Sequence, residues 1–244
     1  MKGKNIRVSI ITPCLNSKQT LGDTIESVLG QTYHNIEYII VDGGSDDGTQ
    51  ELIKSYSGSF GDRMKWISER DRGIYQAMNK GIRLSSGQLI GIINSDDFYE
   101  SDAVENAVSV LTGDPYQVIY GYLRKIERSG LTKYSSVTHA SLPDKMIAHP
   151  TCFLTRDIYR KFGLFLERLK VTADYELMLR LYRSGEVVFR LCPKIMANFR
   201  TGGVSSSVRT SAEYEFSRLI HGYGDVQEFL KAYKEYLMQR DWRG

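Results

Sequence analysis

The chain has 244 residues, 41% of them apolar and 25% charged, a composition typical of a globular protein. It excludes disordered, collagen-like and membrane-spanning classes, and the length suits one large α/β domain. The formal net charge of +3 is too small to predict a nucleic acid partner.

Cysteine usage and the N-terminus bear on the compartment. Cys14, Cys152 and Cys192 are far apart and lack C-x-x-C spacing, which excludes a disulfide framework and indicates a reducing environment. Residues 8–11 form too short an apolar run for a signal peptide, and no run approaches the roughly 18 residues of a spanning helix. We therefore expect a cytoplasmic protein whose contact with a membrane is at most peripheral.

Four short apolar blocks predict buried parallel strands, because each is bounded by polar turn residues. They cover residues 8–11, 36–41, 64–67 and 89–93. After the first block, Leu21, Ile25 and Val28 are spaced for one face of a helix with Ser17 as its N-cap. This alternation predicts βαβ crossovers and a mostly parallel sheet with helices on both faces.

Beyond residue 100 the pattern is less regular. Helices are predicted over residues 101–111 and 173–184, and again after residue 205. Short strands are predicted over residues 118–122 and 187–189. No repeat, linker or low-complexity tract divides the chain, so we expect one domain.

Polar clusters follow all four early strands. They lie at residues 12–13, 42–48, 69–71 and 94–97. Ligands of open α/β sheets bind beyond the carboxyl ends of the strands. The four loops are therefore predicted to meet at one rim and to form a binding site.

Asp96 and Asp97 are the strongest sign of chemistry at this rim. Two adjacent carboxylates after an apolar strand are costly unless a cation or hydrogen-bond donors receive them. Mg²⁺ and Mn²⁺ prefer carboxylate and phosphate oxygens, so a metal shared with a diphosphate is one interpretation. A solvated turn before a helix near Ser101 is the other.

The loop of residues 42–48 also has two interpretations. Its glycines allow a ligand close to the backbone, and its carboxylates can accept hydrogen bonds from a base or a ribose. An ordinary turn with a helix cap is the alternative. The loop matches neither the G-x-G-x-x-G nor the P-loop pattern.

Four segments carry a resemblance to a known family. In chain order they are residues 8–13 with Asn16, 31–33 with 37–49, 68–81, and 94–97. On these segments the chain resembles family 2 glycosyltransferases of the GT-A fold, especially those of bacterial O-antigen and other surface polysaccharide synthesis. The resemblance implies a Rossmann-like, mostly parallel central sheet flanked by helices.

Domain organisation and substrates follow from the same resemblance. It implies a catalytic domain over residues 1–204, with a nucleotide-binding half (1–98) and an acceptor half (99–204). Residues 205–244 would form a C-terminal helical extension packed on the same domain. A nucleotide diphosphate sugar, with UDP as the nucleotide, would donate a sugar to a glycan or lipid-linked glycan acceptor.

The resemblance assigns roles to residues that match the family motifs. Thr12 and Pro13 would line the donor site, and Asp42 and Asp71 would hold the nucleotide base. Asp96 would touch the ribose. Asp97 would bind Mn²⁺ or Mg²⁺ that bridges the diphosphate, although the first position of the family's D-x-D-like element is occupied here by serine rather than aspartate.

Asp174 is the implied general base, because residues 172–177 look like the family's acidic pair at the start of a helix. A carboxylate is ionised at neutral pH and can take the proton of an acceptor hydroxyl. Glu176 is the nearby rival for this role. An acid stabilised by the helix dipole is the structural alternative. One direct displacement with such a base would invert the anomeric configuration.

Two further segments are implied at the site. His149 resembles a histidine that touches phosphate or acceptor in relatives, whereas a hydrogen-bonded structural role is the alternative. Residues 200–206, with Arg200 and two glycines, resemble a loop that closes over the diphosphate. An ordinary turn is the alternative there.

The C-terminal tyrosines and basic residues fit two interpretations. The basic residues are Arg218, Lys231, Lys234, Arg240 and Arg243. They form either the solvated face of helices packed on the domain, which we favour, or an amphipathic surface for anionic lipid.

Two other functions compete with glycosyl transfer. A sugar nucleotidyltransferase would need a glycine-rich, basic phosphate loop after the first strand, and residues 13–17 do not provide one. A non-catalytic nucleotide-sugar binding module would not need Asp174 together with Asp96 and Asp97.

Overall fold

The computed structural model describes residues 6–201 and 208–240. The strands are β1 Val8–Cys14, β2 Ile36–Asp42, β3 Met64–Ser68, β4 Leu89–Ile92, β5 Phe98–Tyr99, β6 Gln117–Ile126, β7 Thr132–Ser135, β8 Phe153–Thr155 and β9 Val188–Arg200. The helices are α1 Leu21–Leu29, α2 Thr49–Phe60, α3 Ile74–Leu84, α4 Ala103–Ser109, α5 Arg156–Phe162, α6 Ala173–Ser184, α7 Val208–Ile220 and α8 Val226–Arg240.

One nine-stranded sheet runs through the described part of the chain. Its order is β3-β2-β1-β4-β8-β6-β9-β5, with β7 beside β6. The first four strands of this order pair in parallel, as the sequence predicts. β8 is antiparallel to both β4 and β6, whereas β6 and β9 are parallel. β8 therefore joins a parallel half to a mixed half.

Alternate side chains of the central strands belong to two apolar cores. Val8 and Ile10 of β1 pack in a core that includes residues of α1 and α2, and Ile11 packs in a second core with residues of α3 and α6. Successive strand residues point to opposite faces of a sheet. All seven residues of β1 are buried because helices cover both faces, which confirms the predicted α/β architecture.

Several predicted boundaries are wrong. The helix expected after Ser17 begins at Leu21, because the intervening residues form a turn whose amides bond to the carbonyl of Ser17. The helix expected over residues 101–111 is the shorter α4. The strand expected over residues 187–189 continues to Arg200, because β9 pairs with β6 along most of its length.

Helix α3 lies against β1 at very short range. A Cβ atom on Gly81 would lie 2.4 Å from Cγ2 of Ile11, so this position of α3 accommodates only glycine without a shift. The close approach places the first turn of α3, which contains Tyr75, beyond the carboxyl end of β1. In residues 6–201 and 208–240 no helix combines the length and apolarity needed to cross a membrane.

Candidate functional site

A cavity of about 800 Å³ opens beyond the carboxyl ends of β1, β3 and β4. Part of its lining comes from the ends of these strands and the segments after them, namely residues 13–17, Asp71, residues 73–75, 77 and 78, and residues 94–96. The lining also includes residues 146–150, Lys170, Val171, Asp174 and Phe199, which come from the later part of the chain. Cavities of this size bind small molecules and cofactors.

The structure brings five of the eight predicted site residues onto this cavity. Pro13, Asp71, Asp96, His149 and Asp174 line it. Thr12, Asp42 and Asp97 have no exposed surface and lie behind the lining. The predicted rim therefore exists, but three of the named side chains support it from behind.

The carboxylate of Asp42 is engaged by its own loop and by the end of β3. Its Oδ2 accepts hydrogen bonds from Oγ of Ser68 at 2.6 Å and from the backbone N–H of Ser45 at 3.1 Å, and its Oδ1 accepts one from the hydroxyl of Ser45. Oγ of Ser45 in turn accepts the backbone N–H of Asn16 at 2.8 Å. The loop after β2 is thus a scaffold behind the loop after β1, so three of the four predicted loops, rather than all four, form the wall.

Asp71 presents its carboxylate to the cavity. Its Oδ1 accepts the backbone N–H of Gly73 at 3.0 Å, and a Cβ atom on Gly43 would lie 3.0 Å from its Oδ2. Gly43 therefore lets the loop after β2 approach this carboxylate closely. Leu15, which is 57% exposed, also lines the cavity and adds apolar surface at this end.

Asp97 is an acid in an unfavourable position. Its Oδ1 accepts the backbone N–H of Arg200 at 3.1 Å, while its buried Oδ2 has no partner in the described part of the chain. Burial, and then the neighbouring charge of Asp96, raise the pKa of Asp97 to about 8. Arg200 also holds this turn, because Nη1 donates to the carbonyl of Asp96 at 3.0 Å and Nη2 is paired with Asp23.

These carboxylates fit a divalent cation that takes further ligands from a substrate. Within residues 6–201 and 208–240, no cluster of three or more His, Cys, Asp or Glu side chains is arranged to hold a metal alone. Asp96 on the wall and the unpartnered Oδ2 of Asp97 are two hard oxygen donors. Mg²⁺ sites are commonly built from one or two carboxylates plus phosphate oxygens and water.

Asp174 is the second residue of α6, and its carboxylate is held by a tyrosine from the other half of the chain. The hydroxyl of Tyr75 lies 2.8 Å from Oδ1 of Asp174 and 2.7 Å from the carbonyl of Val171. The sequence did not identify Tyr75 as a site residue. A tyrosine in an apolar core that needs a partner for its hydroxyl is the signal that was available.

Glu176, the rival of Asp174, lies outside the cavity lining. Its side chain is 3% exposed and pairs with Arg180 at 2.8 Å. Nε2 of His221 lies 3.0 Å from its Oε1. These contacts make Glu176 a structural link between α6 and the segment after α7.

His149 is 8% exposed and packs edge-on against the ring of Phe165. Burial lowers the pKa of His149, and the charge of Asp174 opposes this effect only in part, so the imidazole is neutral near pH 7.

Lys125 and Lys170 also line the cavity and provide positive charge there. Neither lysine belongs to a motif in the sequence, so neither was predicted as a site residue. Of the loop predicted over residues 200–206, residues 202–206 lie outside the described part of the chain.

The sequence is similar to those of known glycosyltransferases. The sequence model of Glycosyl transferase family 2 matches residues 9–178. A PGL/p-HBAD biosynthesis glycosyltransferase of Mycobacterium bovis (strain BCG / Pasteur 1173P2) is 28% identical over 205 residues, which are 82% of this chain and 79% of the relative.

Two solved proteins share the fold. A crystal structure of S. aureus TarS 1–349 in complex with UDP-GlcNAc matches with a TM-score of 0.71 and 16% identity, over 93% of this chain and 69% of that one. The chain spans 41% of the longer S. aureus TarS structure. The mannosyltransferase PcManGT from Pyrobaculum calidifontis, in complex with GDP-Man and Mn²⁺, matches with a TM-score of 0.65 and 19% identity, over 94% and 64%. The predicted GT-A fold is thereby confirmed.

Proposed function

This chain belongs to glycosyl transferase family 2, and from that premise we propose that it is an inverting hexosyltransferase that depends on a divalent cation. Its donor is a UDP-sugar, and its acceptor is a hydroxyl of a glycan or lipid-linked glycan in the synthesis of O-antigen or a related surface polysaccharide. One observation carries the proposal. Asp71, Asp96 and Asp174 come from three separate segments and line one cavity.

The donor subsite lies between the loops after β1 and β3. The Asp71 carboxylate accepts a hydrogen bond from a base N–H, and Leu15 and Pro13 contact the base from the β1 side. Thr12 and Asp42 act from behind by fixing these loops. The similar structures support the donor class, since the TarS fragment holds UDP-GlcNAc and PcManGT holds GDP-Man.

Asp96 and Asp97 would hold Mn²⁺ or Mg²⁺, with Asp96 also reaching the ribose. When bound, the cation supplies positive charge that stabilises the departing nucleoside diphosphate. Lys125 and Lys170 also line the cavity and add positive charge there. The Mn²⁺ in PcManGT supports this assignment.

Asp174 acts as the general base. It accepts the proton of the acceptor hydroxyl while the acceptor oxygen attacks the anomeric carbon from the face opposite the diphosphate. The bond from that carbon to the diphosphate oxygen breaks, the nucleoside diphosphate leaves, and the configuration inverts. Neutral His149 offers a hydrogen bond to the acceptor. Glu176 does not serve as the base, because Arg180 and His221 occupy its carboxylate.

The division into halves is part of the proposal. Pro13, Asp71 and Asp96 on the donor side precede residue 98, whereas His149 and Asp174 on the acceptor side follow it. Residues 205–244 act as an extension, of which α7 and α8 are described. It supports the catalytic domain of residues 1–204 from the acceptor side.

The sequence favours a solvated face for the C-terminal helices, but the apolar side chains that α8 leaves exposed support the alternative, a peripheral contact with the inner face of the cell membrane. Helix α8 exposes Leu230, Tyr233 and Leu237, with Lys231 and Lys234 beside them. Such a surface binds at the interface of an anionic bilayer. The side chain of Arg240 and all of Arg243 lie outside the described residues. Failure to float with vesicles containing phosphatidylglycerol would remove this part.

A thermal-shift screen with UDP-glucose, UDP-galactose, UDP-GlcNAc and GDP-mannose, each with Mn²⁺, Mg²⁺ or EDTA, tests the function. A ligand at about 100 times its Kd stabilises the folded state by about 2.7 kcal/mol. We expect a rise in Tm with a UDP-sugar that disappears with EDTA and in Asp96→Asn. Release of UDP and an inverted product by NMR then establish the reaction. No turnover in any donor and acceptor mixture would favour a non-catalytic binding module, and retention would reject the mechanism.

A further inference from the structure

Glu213 of α7 holds the segment that leads into α6. Its carboxylate accepts hydrogen bonds from three consecutive backbone N–H groups, those of Lys170 at 2.9 and 3.0 Å, Val171 at 2.8 Å and Thr172 at 3.2 Å. Hydrogen bonds to a charged acceptor are about twice as strong as neutral ones. Three converging donors therefore fix residues 170–172 to α7.

This segment belongs to the cavity wall. Lys170 and Val171 line the cavity, and Asp174 follows Thr172 by two residues at the start of α6. Thr172 is the N-cap residue, yet its side chain makes no capping hydrogen bond, and its buried Oγ1 has no partner in the described part of the chain. The start of α6 is thus anchored by Glu213 instead of by its own cap.

The same segment is tied to the donor side. The hydroxyl of Tyr75, whose single proton is shared between Asp174 and the carbonyl of Val171, lies 2.7 Å from that carbonyl oxygen, and Nζ of Lys170 donates to the carbonyl of Arg72 at 2.9 Å. Arg72 follows Asp71 directly in the chain. A shift of residues 170–172 would therefore disturb Asp174 and its tyrosine partner together.

Helix α7 is itself firmly placed, so it can serve as an anchor. The ring of Tyr214 stacks on Tyr175 of α6 with 4.2 Å between ring centroids. Nε of Arg218 donates to the carbonyl of Pro143 at 2.9 Å. Tyr214 and Arg218 thus hold α7 against the rest of the protein on the C-terminal side of Glu213. The Glu213 carboxylate therefore has little freedom to move.

We propose that Glu213 is a positioning residue through which the C-terminal extension sets the place of Asp174. The clamp on residues 170–172 stands on geometry alone, whereas its effect on the reaction rests on the proposed function. Displacement of a reacting group by about 1 Å costs up to about 100-fold in rate. Glu213 is outside the cavity lining, and Nζ of Lys170 is held separately by the carbonyl of Arg72, so loss of the clamp acts on the rate of transfer more than on the affinity for the donor.

Hydrogen exchange tests the clamp without any substrate. In Glu213→Gln the side chain loses its charge and keeps one acceptor oxygen, with an NH2 group in place of the other, so the hydrogen bonds to residues 170–172 weaken and we expect exchange there to rise about tenfold or more. Glu215→Gln is the matched control, because it makes the same charge change in α7 at a carboxylate that pairs with Arg218. Unchanged exchange at residues 170–172, or an equal rise in β1 and β4, would overturn the clamp.

Kinetics test the positioning role. We expect Glu213→Gln to lower kcat about tenfold while KM for the UDP-sugar changes less than about twofold. Glu213→Asp keeps the charge on a shorter side chain, so its kcat should lie between those of Glu213→Gln and wild type. If Glu213→Gln does not fold, the decrease in kcat is measured in Glu213→Asp instead. An unchanged kcat despite faster exchange would overturn the positioning role. A wild-type chain without turnover rejects the proposed function and this role, while exchange still decides the clamp.

Discussion

The hydroxyl of Tyr75 on α3 lies 2.8 Å from Oδ1 of Asp174 on α6 and so joins these two helices where both line the cavity. Tyr75 is only 5% exposed. Burial, reinforced by the charge of Asp174, raises the pKa of Tyr75 well above its usual value. The hydroxyl therefore stays protonated at working pH and remains able to donate to the carboxylate.

Removal of this hydroxyl should slow transfer without weakening donor binding. For Tyr75→Phe we expect kcat to fall about fivefold, which corresponds to about 1 kcal/mol for one hydrogen bond. The Kd of the UDP-sugar should stay unchanged, because Val171 and Asp174, the partners of this hydroxyl in the described part of the chain, are not among the residues proposed to bind the donor. Tyr134→Phe on β7, where the side chain is 65% exposed, is the control. A weaker donor affinity at constant kcat would contradict the assignment.

Loss of the Asp174 carboxylate should have a larger effect. Proton transfer by a positioned group contributes about 100- to 10,000-fold, so Asp174→Asn should lower kcat by at least about 100-fold. The metal-dependent rise in Tm with the donor should remain, because Asp174 lies on α6 and not in the loop that carries Asp96 and Asp97. Asp157→Asn on α5, a half-exposed partner of Arg160, is the control. Activity that survives in Asp174→Asn would move the base to another group.

Local pattern was enough to predict much of the fold. The helix over residues 173–184 was predicted with its observed ends, because its apolar spacing is regular and Gly185 ends it in a left-handed conformation with φ of 68°. The same local reasoning predicts a strand over residues 187–189 alone, whereas β9 runs from Val188 to Arg200. Pairing with β6 extends this strand, and such a partner is invisible in a local pattern.

The site was predicted as a set of loops more accurately than as a set of side chains. Sequence motifs place Asp42 and Asp97 after strands, but only packing decides that both are buried behind the wall. Glu213 was not predicted at all. Its partners at residues 170–172 lie more than forty positions away in the chain, and they are backbone N–H groups, which every residue except proline provides.

At the amino end of β2, far from the cavity, Glu37 has no exposed surface. Its carboxylate accepts hydrogen bonds from Oγ of Ser9 at 2.5 Å, from the backbone N–H and Oγ of Ser86, and from the backbone N–H of Gly87 at 2.9 Å. Burial alone would raise the pKa of Glu37. These hydrogen bonds outweigh burial and lower the pKa to about 2.

This carboxylate should make stability depend on pH. Since the pKa is lower in the folded state than the reference value of 4.5, the stabilisation is complete above pH 4.5 and is lost as the pH falls toward 2. We expect Glu37→Gln to lower the free energy of unfolding by on the order of 2 kcal/mol at pH 7. Urea denaturation at pH 7, 4 and 3 should show the difference from wild type shrinking. The exposed Glu235→Gln is the control, and a difference independent of pH would contradict the mechanism.

The contact between α3 and β1 should tolerate no side chain at Gly81. A Cβ there would lie 2.4 Å from Cγ2 of Ile11, whose side chain is completely buried, so Gly81→Ala must push the helix from the sheet. Overpacking of this kind costs about 1–3 kcal/mol, which lowers Tm by roughly 2–4 °C per kcal/mol in a chain of this size.

Gly58→Ala in α2 is the matched control. No heavy atom lies within 4 Å of its added Cβ, and the gain in helix propensity should stabilise the protein by about 0.5–1 kcal/mol. If Tm falls in Gly81→Ala and rises in Gly58→Ala, the loss of stability at Gly81 is due to the close approach of α3 to β1. Equal shifts in Tm in the two variants would mean that α3 moves away from the sheet at no cost.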